Sequence, residues 1–350
     1  MSSGRPLVSV CMITYNHEAF IAEAIESILM QECNFKIELI IADDNSPDNT
    51  ESVIDQLKRD HPNADRIKYT KHIVNKGMMK NFLWALEECR GKYIAFCEGD
   101  DYWISPLKLQ EQVDFLEANK DYGLIHTDYY KFHQKNKKYE RNSVLKIRNV
   151  ADKSTFNDLL IESNIHTATV CLRKDILKCF LEDVYPEAKN TMLGDYQIWL
   201  YFSHHSKIKY LPLKMAVYRI LENSASNRKN RLKGLEALKS IHDVRYYFIN
   251  KYGCKEEVKR VIDNQFLMIY LLHEINVGYD LKDYNLVKKC LSKKNEKGIP
   301  VTFLDRIKLL STKHLVVWRF SLIILSFKRF LSQFSNKYIR KIPEEKSSIL

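Results

Sequence analysis

The sequence predicts an α/β protein in which a mostly parallel sheet carries helices on both faces and is followed by a helical C-terminal region. Three observations carry this. Over the first 130 residues, short and nearly continuous apolar runs alternate with stretches of helical periodicity. Several of these runs stop abruptly in polar clusters of the same kind. Beyond about residue 225 the pattern becomes helical and the charge balance turns basic.

In chain order, LVSVCMI (7–13) is the first strand and EAFIAEAIESILMQ (18–31) the first helix, its apolar face set by Phe20, Ala24 and Ile28. IELIIA (37–42) is the second strand, leading into a helix capped by Ser46 or Asp48. RIKYT (66–70) precedes the helix MMKNFLWALEECR (78–90), and KYIAFC (92–97) precedes PLKLQEQVDFLEAN (106–119). The stretch 120–224 is mixed: LIHTDYY, HTATVCLRK and AVYRI (216–220) have strand character, KKYERNSVLKIRN that of a mobile loop, and LGDYQIWLYFS (193–203) that of a short helix. Then come two long helical patterns, RLKGLEALKSIHDVRYYFINKYG and EEVKRVIDNQFLMIYLLHEIN, with no internal repeat and no low-complexity linker. A chain of 350 residues exceeds the usual size of one core. The expected division is 1–226 for the α/β domain and 227–350 for a basic helical region.

Charge is unevenly placed. Residues 225–350 hold 26 Lys and Arg against 12 Asp and Glu, a net +14 within a total of +11, so the preceding residues carry −3. The tail lacks any nucleic-acid recognition motif, and no nucleic-acid partner is expected. The eight cysteines form no C-x-x-C pair, and Cys11, Cys97 and Cys171 lie inside apolar runs, which fits packed thiols in a reducing, cytoplasmic compartment better than structural zinc. No stretch offers the roughly 18 uncharged apolar residues of a spanning helix. The nearest, near 314–334, contains Arg319, Lys328 and Arg329. With Arg319, Ser326, Arg329 and Gln333 on one stripe and Val316, Phe320, Ile323, Phe327, Phe330 and Phe334 opposite, it is amphipathic. It suits either a membrane interface or packing against the rest of the tail.

The strand ends concentrate the chemistry. The first ends in Thr14-Tyr15-Asn16-His17, the second in Asp43-Asp44-Asn45-Ser46, the fourth in Glu98-Gly99-Asp100-Asp101. Turn formation and helix capping account for Asn45-Ser46-Pro47-Asp48. Three acidic or amide clusters on one rim of one sheet are better explained by a site, since such sheets bind ligands outside their strand carboxyl ends. Clustered carboxylates repel one another unless a cation compensates. Mg or Mn, which takes one or two protein carboxylates plus phosphate oxygens, is the natural compensator. The chain contains neither G-x-G-x-x-G nor G-x-x-x-x-G-K-[ST], which disfavours a dehydrogenase or a P-loop ATPase.

The series VSVCMITYN, IIADDNSPDNT and NKGMMKNFLWALEECRGKYIAFCEGDDYWISPLKLQEQ resembles glycosyltransferase family 2, closely over residues 6–120 and more loosely to about 226. The resemblance implies a Rossmann-like GT-A fold and inverting transfer of a sugar from a nucleotide diphosphate donor. UDP-sugars are favoured, with GDP-mannose and dTDP-rhamnose open. Thr14, Tyr15 and Asn16 match the motif closing the first strand, and Asp44 matches the aspartate that pairs with the nucleobase. Glu98, Asp100 and Asp101 fill the metal motif: one of the two aspartates binds Mn or Mg, and Glu98 faces the ribose or a metal-bound water. Gly194-Asp195-Tyr196-Gln197-Ile198-Trp199 resembles a later acidic motif and makes Asp195 the general base, with a helix cap as the plainer alternative. Tyr218-Arg219-Ile220 departs from the family: a histidine that often follows is Leu221 here. Arg219 either meets phosphate charge or forms a structural ion pair. Two functions follow. One is a glycosyltransferase acting on a glycan or polyprenyl-linked acceptor in surface polysaccharide synthesis, peripheral on the inner face of the membrane through its basic tail. The other is a catalytically degenerate GT-A module that binds nucleotide and recruits partners there.

Overall fold

The computed structural model describes residues 6–140, 154–184, 194–221 and 231–313. The amphipathic stretch near 314–334 and most of the loop expected from KKYERNSVLKIRN lie outside the described residues. The chain forms two compact units. The first comprises Met1–Asn227 with Ser240–Ile262, the second Arg228–Lys239 with Asp263–Leu350. Residues 240–262, assigned to the tail on sequence, therefore belong to the first unit.

In that unit, β1 (Val8–Thr14), β2 (Ile37–Asp43), β3 (Ile67–Lys71) and β4 (Tyr93–Phe96) are joined through α1 (Ile21–Leu29), α2 (Thr50–Asp60) and α3 (Met78–Glu88). They are followed by β5 (Tyr102–Trp103), α4 (Lys108–Ala118), β6 (Tyr122–His133), β7 (Lys138–Glu140), α5 (Phe156–Ile161), β8 (Cys171–Arg173), α6 (Lys174–Asp183), α7 (Gly194–His205) and β9 (Lys207–Ile220). The sheet order is β3-β2-β1-β4-β8-β6-β9-β5, with β7 on β6. Pairing is parallel from β3 through β4 and mixed beyond: β8 runs antiparallel to β4 and β6, β9 parallel to β6, and β5 antiparallel to β9. Alternation along the strands divides the core. Val8, Val10 and Met12 pack with α1, α2 and α4 on one face; Cys11, Ile40 and Phe96 pack with α3, α5, α6 and α7 on the other.

The second face also receives Val244, Phe248 and Ile249 of α8 (Arg231–Tyr252) and Val258 and Ile262 of α9 (Glu256–Leu281). In the second unit, α9, α10 (Tyr284–Glu296) and α11 (Phe303–Lys313) close a small core around Leu271, Ile275, Val287, Cys290 and Leu291.

Three local results differ from the sequence expectations. The start of KKYERNSVLKIRN, expected as a loop, forms β7 on β6. HTATVCLRK is a strand only at 171–173. His166 Nδ1 accepts the Ala168 N–H, Thr167–Thr169 makes a 3-10 turn, and α6 starts at Lys174. β9 is longer than AVYRI. Its pairing with β6 steps from Leu211 to Lys214 at a bulge, and Pro212, which has no N–H to give the ladder, lies in the step.

Lys108 is wholly buried at the start of α4. Its Nζ donates to Gln112 Oε1 at 2.8 Å and stands 4.1 Å over the Trp103 ring. Burial pulls its pKa from 10.5 to about 8. Between those values the unfolded chain holds a proton that the folded chain has released, so stability rises with pH through that window. The difference in unfolding free energy between wild type and Lys108→Met is expected to change by about 2 kcal/mol from pH 7 to pH 10 in urea titrations. A pH-independent difference would mean that Lys108 reaches solvent.

Candidate functional site

Parallel register brings the strand ends together: Thr14 lies opposite Asp43, and Cys11 opposite Phe96. The loops that follow are sewn to one another. Asp44 N–H donates to the Thr14 carbonyl at 3.0 Å, Asn16 N–H to Ser46 Oγ at 3.0 Å, His17 N–H to Thr50 Oγ1 at 3.1 Å and Gly99 N–H to the Ile13 carbonyl at 3.0 Å. Asn16 and Asn45 take left-handed φ values of 60° and 63°, tolerated because a short amide side chain suits that region. Neither cap candidate for α2 holds the N-cap position, which is Asn49 without a side-chain cap bond. Ser46 is spent on the first loop, and Asp48 Oδ1, one residue before the cap, accepts from both the N–H and the hydroxyl of Thr50. Tyr15 is exposed and Thr14 buried.

Asp44 is buried, and its carboxylate holds the loop after β3: Oδ1 accepts Lys76 N–H at 2.6 Å and Oδ2 accepts Gly77 N–H at 2.9 Å. A carboxylate offers about four acceptor positions, so these bonds leave room for a further donor.

In the acidic turn, Asp101 Oδ1 accepts Arg219 N–H at 2.9 Å, whereas Oδ2, equally buried, has no partner. Burial, reinforced by the charges of Asp100 and Glu98, pushes the Asp101 carboxyl well above the usual range. Glu98 is pushed up to about 8 by burial, then by Asp100 and Asp195. Asp100 is partly open, its side chain 17% exposed, with Oδ2 3.9 Å from His17 Nε2. Burial lowers the His17 pKa against the opposing pull of Asp100, Asp48 and Asp43. Gly99 is required here: a Cβ would come within 2.7 Å of Thr14 Oγ1 and 2.9 Å of His17 Nδ1.

Arg219 compensates this turn only in part: its charge opposes the rise at Asp101, yet its guanidinium donates to none of the three carboxylates. Arg219 is buried. Its Nε donates to the Asp100 carbonyl at 2.8 Å and Nη1 to Gln134 Oε1 at 2.9 Å, its Nη2 pairs with Glu23, and Phe20, Tyr102 and Phe132 surround it. Of the two roles open on sequence, these contacts are those of the structural ion pair. The guanidinium braces the turn from behind. The donor set fits a hard divalent cation: the donors are carboxylate oxygens, one of them buried without a partner, in a cluster whose charges hold protons when no metal is bound. No group of three His, Cys, Asp or Glu ready to hold a metal occurs among the described residues.

Asp195 is half-buried in the first turn of α7, one residue inside the helix rather than at its cap. Oδ1 accepts Tyr196 N–H at 2.7 Å and Oδ2 the Thr167 hydroxyl at 3.2 Å. Burial raises its pKa, with those two donors opposing. Its charge contributes to the rise at Glu98, after burial and Asp100. Sequence reasoning missed Thr167 and His17. Thr167 gave no signal, while His17 directly follows the Thr14-Tyr15-Asn16 motif. Two other histidines are packed side chains: His166 lies against Tyr129 and Tyr218, with ring centroids at 4.8 and 4.3 Å, and His126 is buried beside Tyr210. Trp103 and Trp199 are core residues.

Residues 9–181 match the family model described as Glycosyl transferase family 2. An uncharacterized protein of Mycobacterium tuberculosis is 32% identical over 217 residues, 61% of this chain, and the match spans only 58% of that relative. The Escherichia coli protein WfaP, a UDP-Glc:alpha-D-GlcNAc-diphosphoundecaprenol beta-1,3-glucosyltransferase, is 30% identical over 256 residues, which is 70% of this chain and 93% of WfaP. Among solved structures, Staphylococcus aureus TarS 1-349 in complex with UDP-GlcNAc superposes with a TM-score of 0.56 over 92% of this chain and 91% of that one, at 18% identity. That likeness is one of fold.

Proposed function

The chain belongs to glycosyltransferase family 2, and on that basis we propose that it transfers a sugar, with inversion, from a nucleotide diphosphate donor to a glycan or polyprenyl-linked acceptor in surface polysaccharide synthesis. The observation that carries this is the acidic turn beyond β4, where Asp100 is partly open and the neighbouring Asp101 keeps a buried Oδ2 without a partner. In this reading Asp195, whose charge contributes to the rise at Glu98, serves the same site. A UDP-sugar is the favoured donor, by analogy with the donor in WfaP's name and the ligand bound to TarS.

In this reading Asp195 takes the proton from the acceptor hydroxyl. The hydroxyl oxygen forms its bond to the anomeric carbon as the carbon–oxygen bond to the diphosphate breaks on the opposite face. Thr167 and the Tyr196 N–H hold the base in place. Asp44 receives the nucleobase at the far end, and Thr14, Tyr15 and Asn16 border the ribose and diphosphate with Glu98. Asp100, supported by Asp101, holds Mn or Mg. The metal, when bound, supplies a Lewis acid that takes up the charge of the leaving diphosphate. Arg219 keeps the turn in shape. Purified protein supplied with Mn2+ or Mg2+ and a panel of UDP-, GDP- and dTDP-sugars should hydrolyse or transfer at least one. Calorimetric binding of a nucleotide without turnover on any acceptor would favour the degenerate module, which the replacement of a family histidine by Leu221 motivates. Failure to bind any nucleotide would remove both.

A membrane contact is the second element of the proposal. No helix of the described residues is long and apolar enough to cross a membrane. Lys288, Lys289 and Lys293 of α10 and Lys297 just past its end stand exposed along one groove with a single carboxylate, Glu296, among them, a surface suited to anionic headgroups. The full chain is expected to sediment with vesicles containing anionic lipid at 50 mM salt and to be released at about 0.5 M, where screening shortens the reach of the lysines. Equal sedimentation with neutral vesicles would argue against it.

A further inference from the structure

We propose that His17 is a direct ligand of the divalent cation, binding through Nε2 alongside the carboxylate of Asp100. This rests on the cation reading above and adds a donor that neither the family motif nor the sequence assigned. The main chain at His17 is fixed from two sides, by Asn16 N–H on Ser46 Oγ and His17 N–H on Thr50 Oγ1. The ring lies against the acidic turn, close enough that a Cβ on Gly99 would stand 2.9 Å from Nδ1. Nδ1 is 3.2 Å from Thr14 Oγ1, so the hydroxyl can accept the Nδ1 proton and leave the Nε2 lone pair free. A buried oxygen on the inner ring nitrogen is the usual means of orienting a metal-bound imidazole.

Nε2 stands 3.9 Å from Asp100 Oδ2, too far for a hydrogen bond. Two donors of one octahedral ion with bonds of about 2.1 Å lie about 3.0 Å apart when adjacent and about 4.2 Å when opposite. The observed 3.9 Å is neither, so the two donors draw together by about 0.9 Å to take adjacent positions when the ion binds. A second observation is independent of the histidine: Asp101 Oδ2, one residue along the turn, is buried without any partner. Leu221 offers no donor atom, so His17 is the nitrogen on this rim best placed for the ion. An imidazole ligand favours transition metals over Mg2+. His17→Gln should therefore weaken Mn2+ binding more than Mg2+ binding.

The test is electron spin-echo spectroscopy of Mn2+ bound to the full chain with UDP or GDP. The expected result is modulation from a directly bound 14N, replaced by a 15N pattern when the protein is labelled with 15N-histidine. That pair of spectra needs no variant. In His17→Gln the modulation is expected to vanish and Mn2+ affinity to fall at least about 10-fold, while metal-free UDP affinity is unchanged. Thr14→Val should retain the modulation with weaker Mn2+ binding. Mn2+ bound with no nitrogen modulation overturns the proposal and leaves the cation reading standing. Modulation that persists in His17→Gln, or a loss confined to metal-free UDP binding, also overturns it, the latter assigning the ring to phosphate. If wild type binds no Mn2+ with either nucleotide, the cation reading falls as well.

Discussion

Asp195→Asn is expected to lower kcat by about 1,000-fold while leaving the affinities for donor nucleotide and Mn2+ within about threefold of wild type. Removal of a positioned general base costs about 100- to 10,000-fold. The substitution is nearly isosteric. The Asn oxygen can still accept the Tyr196 N–H that Asp195 Oδ1 accepts at 2.7 Å, and the Thr167 hydroxyl can turn to accept from the new amide. The local fold should therefore persist, which separates loss of the base from loss of the helix start. One side effect has a defined sign. Asp195 is among the charges that raise Glu98 to about 8, so neutralising it lets Glu98 ionise at lower pH and strengthens the site's hold on a cation. Kinetics at saturating Mn2+ with calorimetry on the same samples measure both quantities. Retention of more than about a tenth of the activity would place the base elsewhere.

The parallel half of the site was legible in the sequence because its information is local. Each apolar run announced a strand, and what followed it had to emerge at the same edge once the strands were parallel, so Thr14, Asp44 and the 98–101 turn fell together without coordinates. What was not legible depends on distant pairing. The Arg219 cage joins residues near 20, 102, 132 and 219, and it exists because β5 pairs antiparallel with β9. From sequence alone, a cation beside a phosphate site and a cation bracing the turn look the same. His17 meets Asp100 across 83 residues, and Thr167 meets Asp195 across 28. β9 was read short because its lysines and Pro212 break the apolar pattern, although Lys207, Lys209 and Lys214 pair in the ladder and a bulge absorbs Pro212. Residues 240–262 were grouped with the basic helices because amphipathic periodicity reveals that a helix packs, not which core it packs on.

Asp100→Asn and Asp101→Asn are expected to separate into different defects, although the two residues are neighbours in one motif. Asp100 is the partly open carboxylate, reachable by a hydrated ion and by phosphate oxygens. Its loss should lower Mn2+ affinity at least about 100-fold, more than substitution of an orienting partner costs, with unfolding free energy changed by less than about 0.5 kcal/mol. Asp101 is enclosed, and burial with two like charges keeps its carboxyl protonated well above the usual range in the metal-free protein. Asparagine there preserves an oxygen for the Arg219 N–H and removes an ionisation that the fold resists. The consequence for stability has a sign. A folded carboxyl with a raised pKa holds a proton that the unfolded chain has already released, so stability falls as pH rises from the ordinary carboxylate range. Asp101→Asn should abolish its share of that fall and unfold at a higher temperature than wild type at pH 8 without metal, with Mn2+ affinity reduced about 10-fold or less. Thermal unfolding at pH 5 and pH 8, with and without Mn2+, distinguishes the two variants. If the order of metal affinities is reversed, the unpartnered Oδ2 of Asp101 is itself the principal ligand, and Asp100 serves to draw the cation in.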